Sequence, residues 1–138
     1  MSNQELFLKI AALNLPPGKY ALFGSAPMGI RDLRDCHDID IIATEDLWNT
    51  FRNRPGWIAR VGPWGDDYFE KEEVELWKNW RPGAWDIQKL IDAAQVIDGL
   101  PFVPLEDVLR WKKLIAREKD MKDIAVIEDF LKTNNKTK

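Results

Sequence analysis

Two small groups of polar residues in the first third of the chain have the types and spacing of a phosphate site beside a metal site. Gly24 and Ser25 end one short apolar run, and Asp38 and Asp40 lie in the next one. A Gly-Ser turn lets backbone amides and a small hydroxyl approach phosphate oxygens closely, because glycine has no Cβ. Side chains alternate along a strand, so Asp38 and Asp40 are predicted to point to one face. Magnesium takes one or two such carboxylates together with substrate phosphates.

A third acid is expected near this pair, because metal-assisted phosphoryl chemistry needs negative ligands on more than one side. Glu75 is flanked by the apolar Val74 and Leu76, which predicts that it projects from a strand, whereas the glutamates before it lie among other charges. Asp86 is the second choice. Each of these acids can instead be a solvated surface residue, so the identity of the third acid stays open at this point.

Both groups must be positioned by a small set of strands and helices. Strands are predicted over residues 20–23, 38–43, 57–61 and 68–77. Helices are predicted over residues 6–13, 45–53, 86–95, 105–116 and 120–131. A short extended piece is predicted at Phe102 and Val103. This order predicts an α/β or α+β domain, with a mixed sheet flanked by helices and a C-terminal helical pair.

Three further segments carry local predictions. Pro27 and Gly29 disfavour a regular helix directly after Ser25, although a short turn near residues 30–34 is compatible with the sequence. The last helix is predicted to bury the stripe Met121, Ile124, Ile127 and Leu131. In the middle third, core packing is the main interpretation of the tryptophans and base stacking the minor one, for Trp57, Trp64, Trp77, Trp80 and Trp85.

Composition limits the class of protein. A chain of 138 residues fits one domain, expected to span residues 1–138 with a flexible polar tail at 132–138. The formal net charge of -3, with acids and bases mixed along the chain, argues against general DNA binding. No apolar run approaches the ~20 residues needed to cross a membrane, and the first residues lack a signal-peptide pattern. Cys36 is the single cysteine, so we expect a cytoplasmic protein without an internal disulfide.

Taken together, the motifs resemble those of the polymerase-beta-like nucleotidyltransferase superfamily, in which Gly-Ser, a spacer, Asp-x-Asp and a later acid form the site. The matching segments are Leu22-Phe23-Gly24-Ser25, Asp38-Ile39-Asp40-Ile41 and Val74-Glu75-Leu76. The end of the chain is similar to the last helices of small stand-alone members, through Asp107-Val108-Leu109, Lys112, Arg117-Glu118-Lys119-Asp120 and Asp123. The resemblance covers roughly residues 20–131 and implies a nucleotidyltransferase-like fold.

The resemblance also implies roles for individual residues. Gly24 and Ser25 would hold a triphosphate, while Asp38 and Asp40 would bind Mg2+ or Mn2+. Glu75 would complete the catalytic and metal site. Two cations near the end of the chain, Lys112 and Arg117, would reach the phosphates or the acceptor, although a solvated helix face explains them nearly as well.

The implied reaction is transfer of a nucleoside monophosphate from a nucleoside triphosphate to a hydroxyl-bearing acceptor. The acceptor class stays open between a small molecule, an RNA and a protein. One alternative is a binding or regulatory module with the same fold and no turnover. Another is a phosphodiesterase that uses the same acids.

Overall fold

Seven strands form one sheet in the computed structural model, which describes residues 1–136. The strands are β1 (Tyr20–Phe23), β2 (Ile39–Ala43), β3 (Ile58–Val61), β4 (Asp67–Lys71), β5 (Val74–Trp77), β6 (Gln95–Ile97) and β7 (Leu100–Phe102). Their order across the sheet is β3-β4-β5-β2-β1-β7-β6. The pairs β2–β5 and β1–β7 are parallel, and the other neighbours are antiparallel. The predicted mixed sheet is therefore confirmed.

Six helices accompany the sheet in the described part of the chain. They are α1 (Asn3–Ala12), α2 (Ala26–Gly29), α3 (Glu45–Asn49), α4 (Ile87–Asp92), α5 (Leu105–Ile115) and α6 (Glu118–Lys136). The two C-terminal helices pack against each other, as predicted. Within residues 1–136, no helix combines the length and the apolar character needed to cross a membrane.

Alternation along the strands separates the apolar side chains into two layers. Ile39 and Ile41 of β2 belong to one cluster of buried residues, together with side chains of α1 and α3. Phe23 and Ile42 belong to the other, together with side chains of α4, α5 and α6. Asp40 stands between Ile39 and Ile41, so it points toward the face that the C-terminal helices cover.

Two predicted elements differ from the structure in their bounds, because a turn interrupts the first and the second ends early. The run 68–77 is a hairpin of β4 and β5, with Glu72 at a positive φ of 52° in the turn. The predicted helix 86–95 ends at Asp92, and Gln95 begins β6. Asp98 and Gly99 both have positive φ values and turn β6 back into β7. Through the turn at Glu72, β5 pairs with β4 on one side and with β2 on the other.

The segment after Ser25 is more regular than the sequence predicts. Residues 26–29 form α2, in which Pro27 occupies the first turn, where a helix needs no N–H donor from it. A Cβ at Gly29 would lie 2.4 Å from the Cys36 sulfur, so glycine lets the following loop pack back onto this helix. The predicted helix over 45–53 is shorter than expected and ends at Asn49.

The last helix differs from its prediction in both length and orientation. It extends to Lys136, so residues 132–136 are helical, and residues 137 and 138 lie outside the described part. Ile127 is fully buried, as predicted, but Met121 is 48% exposed. Asp120 and Asp123 are buried on this helix instead. The buried face is therefore partly charged, which an apolar stripe cannot reveal.

Candidate active site

The central pair of the site is Asp40 and Glu75, which lie directly opposite one another on the parallel strands β2 and β5. Residues in register on adjoining strands point to the same face of the sheet. Asp38 lies just before β2 begins and lines the same cleft as Asp40. The structure thus brings together the three acids that the sequence suggests.

The electrostatics of this group favour a cation. Burial and the negative charges of Glu75 and Asp38 raise the pKa of Asp40 well above its usual range. Burial also raises the pKa of Glu75. The indole N–H of Trp77 donates a hydrogen bond of 3.3 Å to Oε1 of Glu75, which fixes this carboxyl beside Asp40. Two half-buried carboxyl groups held side by side are stabilised by a positive charge placed between them.

Gly24 brings the backbone that follows β1 unusually close to Asp40. Its φ is +62°, and a Cβ at this position would lie 2.3 Å from Oδ2 of Asp40. Any larger side chain would therefore collide with the carboxylate, in addition to straining the backbone. Phe23 pairs with Asp40 across the strands, so the Gly24-Ser25 turn begins where the acid stands. The predicted phosphate turn and the predicted metal ligand are direct neighbours.

A cleft of about 790 Å³ opens over these residues, and this volume lies within the range of ligand sites in proteins, about 300–1,000 Å³. We call it the main cleft. Its sheet side is formed by Gly24, Ser25, Asp38 and Asp40. Its helical side carries basic residues from α5, α6 and the link between them, namely Lys112, Arg117, Lys119 and Lys122. Carboxylates beside the Gly24-Ser25 turn, with cations across the cleft, suit an anionic ligand that carries a metal ion.

Lys112 lies at the base of the helical wall, and its side chain is only 4% exposed. Its ammonium group pairs with Asp120 at 3.0 Å and with Asp123 at 2.9 Å. The same two acids hold guanidinium groups at the cleft. Asp123 accepts a hydrogen bond of 2.5 Å from Arg34, and Asp120 accepts two from the guanidinium group of Arg117 and one from its backbone N–H. A solvated helix face is therefore the wrong interpretation of Lys112.

Arg117 lies in the link between α5 and α6, so the interpretation that it belongs to a solvated helix face is wrong. Ala116 ends α5 with a left-handed backbone, φ 47° and ψ 35°. This turn directs Arg117 back toward Asp120, while its side chain remains 44% exposed at the cleft. The guanidinium group is thus both anchored and accessible.

Lys119 and Lys122 are exposed on the same wall, and sequence reasoning did not select them. Neither makes an ion pair within residues 1–136. The only signal in the sequence was their position within the first turns of a helix that also carries Asp120 and Asp123. These two ammonium groups are the cations of the wall whose charge no protein acid balances.

Asp86, the second choice for the third acid, has a structural role. It precedes α4 and accepts a hydrogen bond of 3.1 Å from the backbone N–H of Lys89, as an N-cap does. It is absent from the lining of the main cleft. His37 does line the cleft, whereas Cys36 is buried, with its pKa raised by that burial. Burial of this kind makes a thiol unreactive.

A smaller cleft of about 240 Å³ is lined by both members of the acid pair. We call it the side cleft. It shares Asp40, Trp111 and Arg117 with the main cleft, and it alone includes Glu75. The rest of its wall is rich in tryptophan, with Trp64, Trp77 and Trp80. The acid pair therefore stands at the junction of two clefts.

Glu70 is an acid next to the site that sequence reasoning passed over. It lies opposite Glu75 on β4, and Arg60 of β3 donates a hydrogen bond of 3.3 Å to it. Strand alternation around the buried Phe69 is the signal that predicts its face. Because Arg60 balances its charge, Glu70 lies beside the acid pair without adding a further unpaired negative charge.

The donor set fits a magnesium ion that is shared with a substrate. Within residues 1–136, no three His, Cys, Asp or Glu side chains converge closely enough to hold a metal by themselves. Magnesium is usually bound by one or two carboxylates, with water and substrate phosphates as the other ligands. Asp40 with Asp38 or Glu75 supplies that number of hard oxygen donors, and their mutual repulsion favours a divalent cation.

Comparisons of this chain with protein-family models, with curated protein sequences and with solved structures gave no match. The function therefore has to be inferred from the geometry and electrostatics of the two clefts.

Proposed function

We propose that this protein is a magnesium-dependent nucleotidyltransferase with a nucleotidyltransferase-like fold. The observation that carries the proposal is the contact between Gly24 and Asp40, with Glu75 in register beside them. A Gly-Ser turn of the type that can bind phosphate and two half-buried carboxyl groups lie next to one another. The motifs that resemble the polymerase-beta-like superfamily include the same three residues.

The triphosphate would occupy the main cleft. Backbone N–H groups of the Gly24-Ser25 turn and the Ser25 hydroxyl would donate hydrogen bonds to its oxygens. The exposed ammonium groups of Lys119 and Lys122, together with Arg117, would balance its charge from the opposite wall. Lys112 would act from below by keeping Asp120 and Asp123 in place.

The acids would organise the transfer itself. Asp38 and Asp40 would hold the metal, with Glu75 as the third acid, and a bound Mg2+ or Mn2+ would neutralise charge on the attacking and leaving oxygens. The acceptor hydroxyl oxygen would form a bond to the α-phosphorus as the bond to the β-phosphate oxygen breaks. Pyrophosphate would leave, and Glu75 would accept the hydroxyl proton. The side cleft adjoins the main cleft at Asp40 and also reaches Glu75, so an acceptor there would lie next to the triphosphate.

Incubation with α-labelled nucleoside triphosphates, Mg2+ and acceptor pools tests the proposal. The pools contain nucleosides, RNA and proteins, and Asp40→Asn serves as the inactive variant. We expect label to appear on an acceptor only with wild-type protein and metal. Calorimetric binding of the triphosphate without any transfer would instead favour a binding module with the same fold. Release of free nucleotide from a nucleic acid without an acceptor would favour a phosphodiesterase.

A further inference from the structure

Trp64 differs from the other tryptophans of the protein. Six of the seven pack against another aromatic ring, with centroid distances between 4.1 and 6.2 Å: Trp48, Trp57, Trp77, Trp80, Trp85 and Trp111. Within residues 1–136, Trp64 is the one tryptophan without a ring neighbour, and it is 60% exposed. Core packing therefore explains six tryptophans and leaves Trp64 unexplained.

The position of Trp64 connects it to the site. It lies in the loop between β3 and β4, between Pro63 and Gly65, and it lines the side cleft together with Asp40 and Glu75. The volume of about 240 Å³ is smaller than that of most small-molecule sites, about 300–1,000 Å³. The side cleft is thus suited to one small ring-bearing molecule, with the indole and the two acids in its lining.

The charges of the side cleft favour a flat ring without positive charge. Asp66, at the lip of the cleft, pairs with Arg81 at 3.0 Å, so its charge is already balanced. Arg117 adds a further cation to the same lining. The remaining acids are Asp40 and Glu75, which the proposed reaction uses. Within residues 1–136, no cation lies over the Trp64 ring, so its face is open to a nucleobase, and every base has a π face that can stack on an indole.

We propose that the side cleft is the acceptor site and that it takes a nucleoside unit. The base would stack on Trp64, and a ribose hydroxyl would lie at Glu75 and Asp40. This inference rests on the proposed function, and it names the acceptor class. The ribose oxygen would form the bond to the α-phosphorus, the hydroxyl proton would pass to Glu75, and pyrophosphate would leave. A net charge of -3 without a basic stripe favours a free nucleoside over the end of an RNA strand.

Calorimetry with adenosine and uridine, and with ribose as the ringless control, tests the inference directly. The proteins are wild type, Trp64→Ala, Trp64→Phe and Val96→Ala, the last an exposed residue of β6 that lines neither cleft. We expect nucleoside affinity to fall about tenfold or more in Trp64→Ala. It should be largely kept in Trp64→Phe and unchanged in Val96→Ala. Thermal unfolding of each variant checks that the fold is retained.

Three results would overturn the inference: nucleosides that do not bind, ribose that binds as well as nucleosides, or Trp64→Ala with wild-type nucleoside affinity. Binding of Mg2+ and a nonhydrolysable triphosphate, measured in parallel, separates this inference from the proposed function. If the triphosphate binds and Trp64→Ala changes nothing, the acceptor assignment alone fails. If nucleosides bind through Trp64 but no triphosphate binds, the proposed function fails, and the acceptor assignment fails with it.

The labelled product shows whether the acceptor is a free nucleoside or the terminal nucleoside of an RNA. With α-labelled triphosphate and free adenosine, we expect a labelled dinucleotide with wild-type protein and a large rise in the KM for adenosine with Trp64→Ala, while kcat changes little. A short RNA ending in adenosine provides the second arm. Label added to the RNA in preference to adenosine would overturn the assignment to a free nucleoside.

Discussion

Asp40 and Glu75 are register partners on adjoining parallel strands, and their carboxyl groups share a half-buried position beside the turn at Gly24. Burial and the neighbouring acids raise the pKa of Asp40 well above its usual range. A purely structural site rarely keeps two acids in this arrangement, because it disfavours the charged form of both. A cation bound between the two carboxyl groups would favour their charged forms and so lower both pKa values.

Replacing Asp40 with Asn should separate activity from stability. The amide keeps the shape of the carboxyl group and removes its repulsion with Glu75 and Asp38, so the melting temperature should not fall. Transfer should drop by at least about a hundredfold, because a preorganised charge at the reacting phosphate is lost. Thermal unfolding and the label-transfer assay measure the two effects. Asp129→Asn, on the exposed surface of α6, should change neither.

Gly24→Ala should be more harmful than the same change at another glycine with positive φ. Gly18 has a φ of +82° and no atom within 4 Å of the place that a Cβ would take, so Gly18→Ala measures backbone strain alone. At Gly24 the new methyl group also meets Asp40. We expect Gly24→Ala to cost about 1–3 kcal/mol more in urea unfolding, which is typical of overpacking. Equal losses in the two variants would contradict the close contact.

Lys112→Met should destabilise the protein through the acids that it leaves behind. Asp120 and Asp123 would lose their buried partner, and breaking a buried ion pair costs about 3–5 kcal/mol. Because Arg34 and Arg117 remain, we expect a value near the lower limit.

Lys113→Met is the matched control. It breaks only an exposed pair with Glu128, which contributes about 1 kcal/mol or less. Urea unfolding of both variants compares them directly.

Lys119→Gln and Lys122→Gln should weaken triphosphate binding without changing stability. Both side chains are exposed on the helical side of the main cleft. Each charge near a phosphate contributes roughly 1 kcal/mol in water, about a fivefold change in affinity. Calorimetry with a nonhydrolysable triphosphate measures the change, which should shrink at high salt. Lys132→Gln, on the same helix but outside the main cleft, should bind like wild type.

Acid should destabilise the C-terminal helical pair through Asp120. Although burial acts in the opposite direction, hydrogen bonds from Arg117 and Lys112 lower the pKa of Asp120 below its usual value of 3.8. A lowered pKa in the folded state gives stability that is present above pH 3.8 and is lost as the pH falls through the folded value. Asp120→Asn should remove this part of the acid dependence. Urea unfolding between pH 6 and pH 3 gives the free energy of unfolding of wild type and variant at each pH. The same pH dependence in both proteins would contradict the role of Asp120.

The parts of the fold that short segments determine could be predicted. The β1 bounds match the prediction, and the alternation of Ile39, Asp40 and Ile41 between core and cleft follows from the strand period. The turn at Glu72 could not be found in this way, because glutamate rarely adopts a positive φ. The turn at Asp98-Gly99 is different, since Asp-Gly between apolar runs is typical of a hairpin and was overlooked.

The parts that depend on long-range pairing could not be predicted. The sequence suggested Glu75 as an acid on a strand, but its place beside Asp40 depends on the parallel pairing of β2 with β5. Lys112 was indistinguishable from a solvated lysine until Asp120 and Asp123 were seen to bury it. Trp64 likewise differs from the other six tryptophans in ring packing, which depends on the fold and not on the local sequence.

A crystal structure with Mg2+ and a nonhydrolysable nucleoside triphosphate tests the central claim most directly. We expect the phosphates to lie between the Gly24-Ser25 turn and the Lys119 and Lys122 ammonium groups. The metal should then lie about 2.0–2.1 Å from oxygens of Asp40 and of the phosphates. A triphosphate bound away from Gly24, or a metal that Asp40 does not contact, would contradict the proposed function.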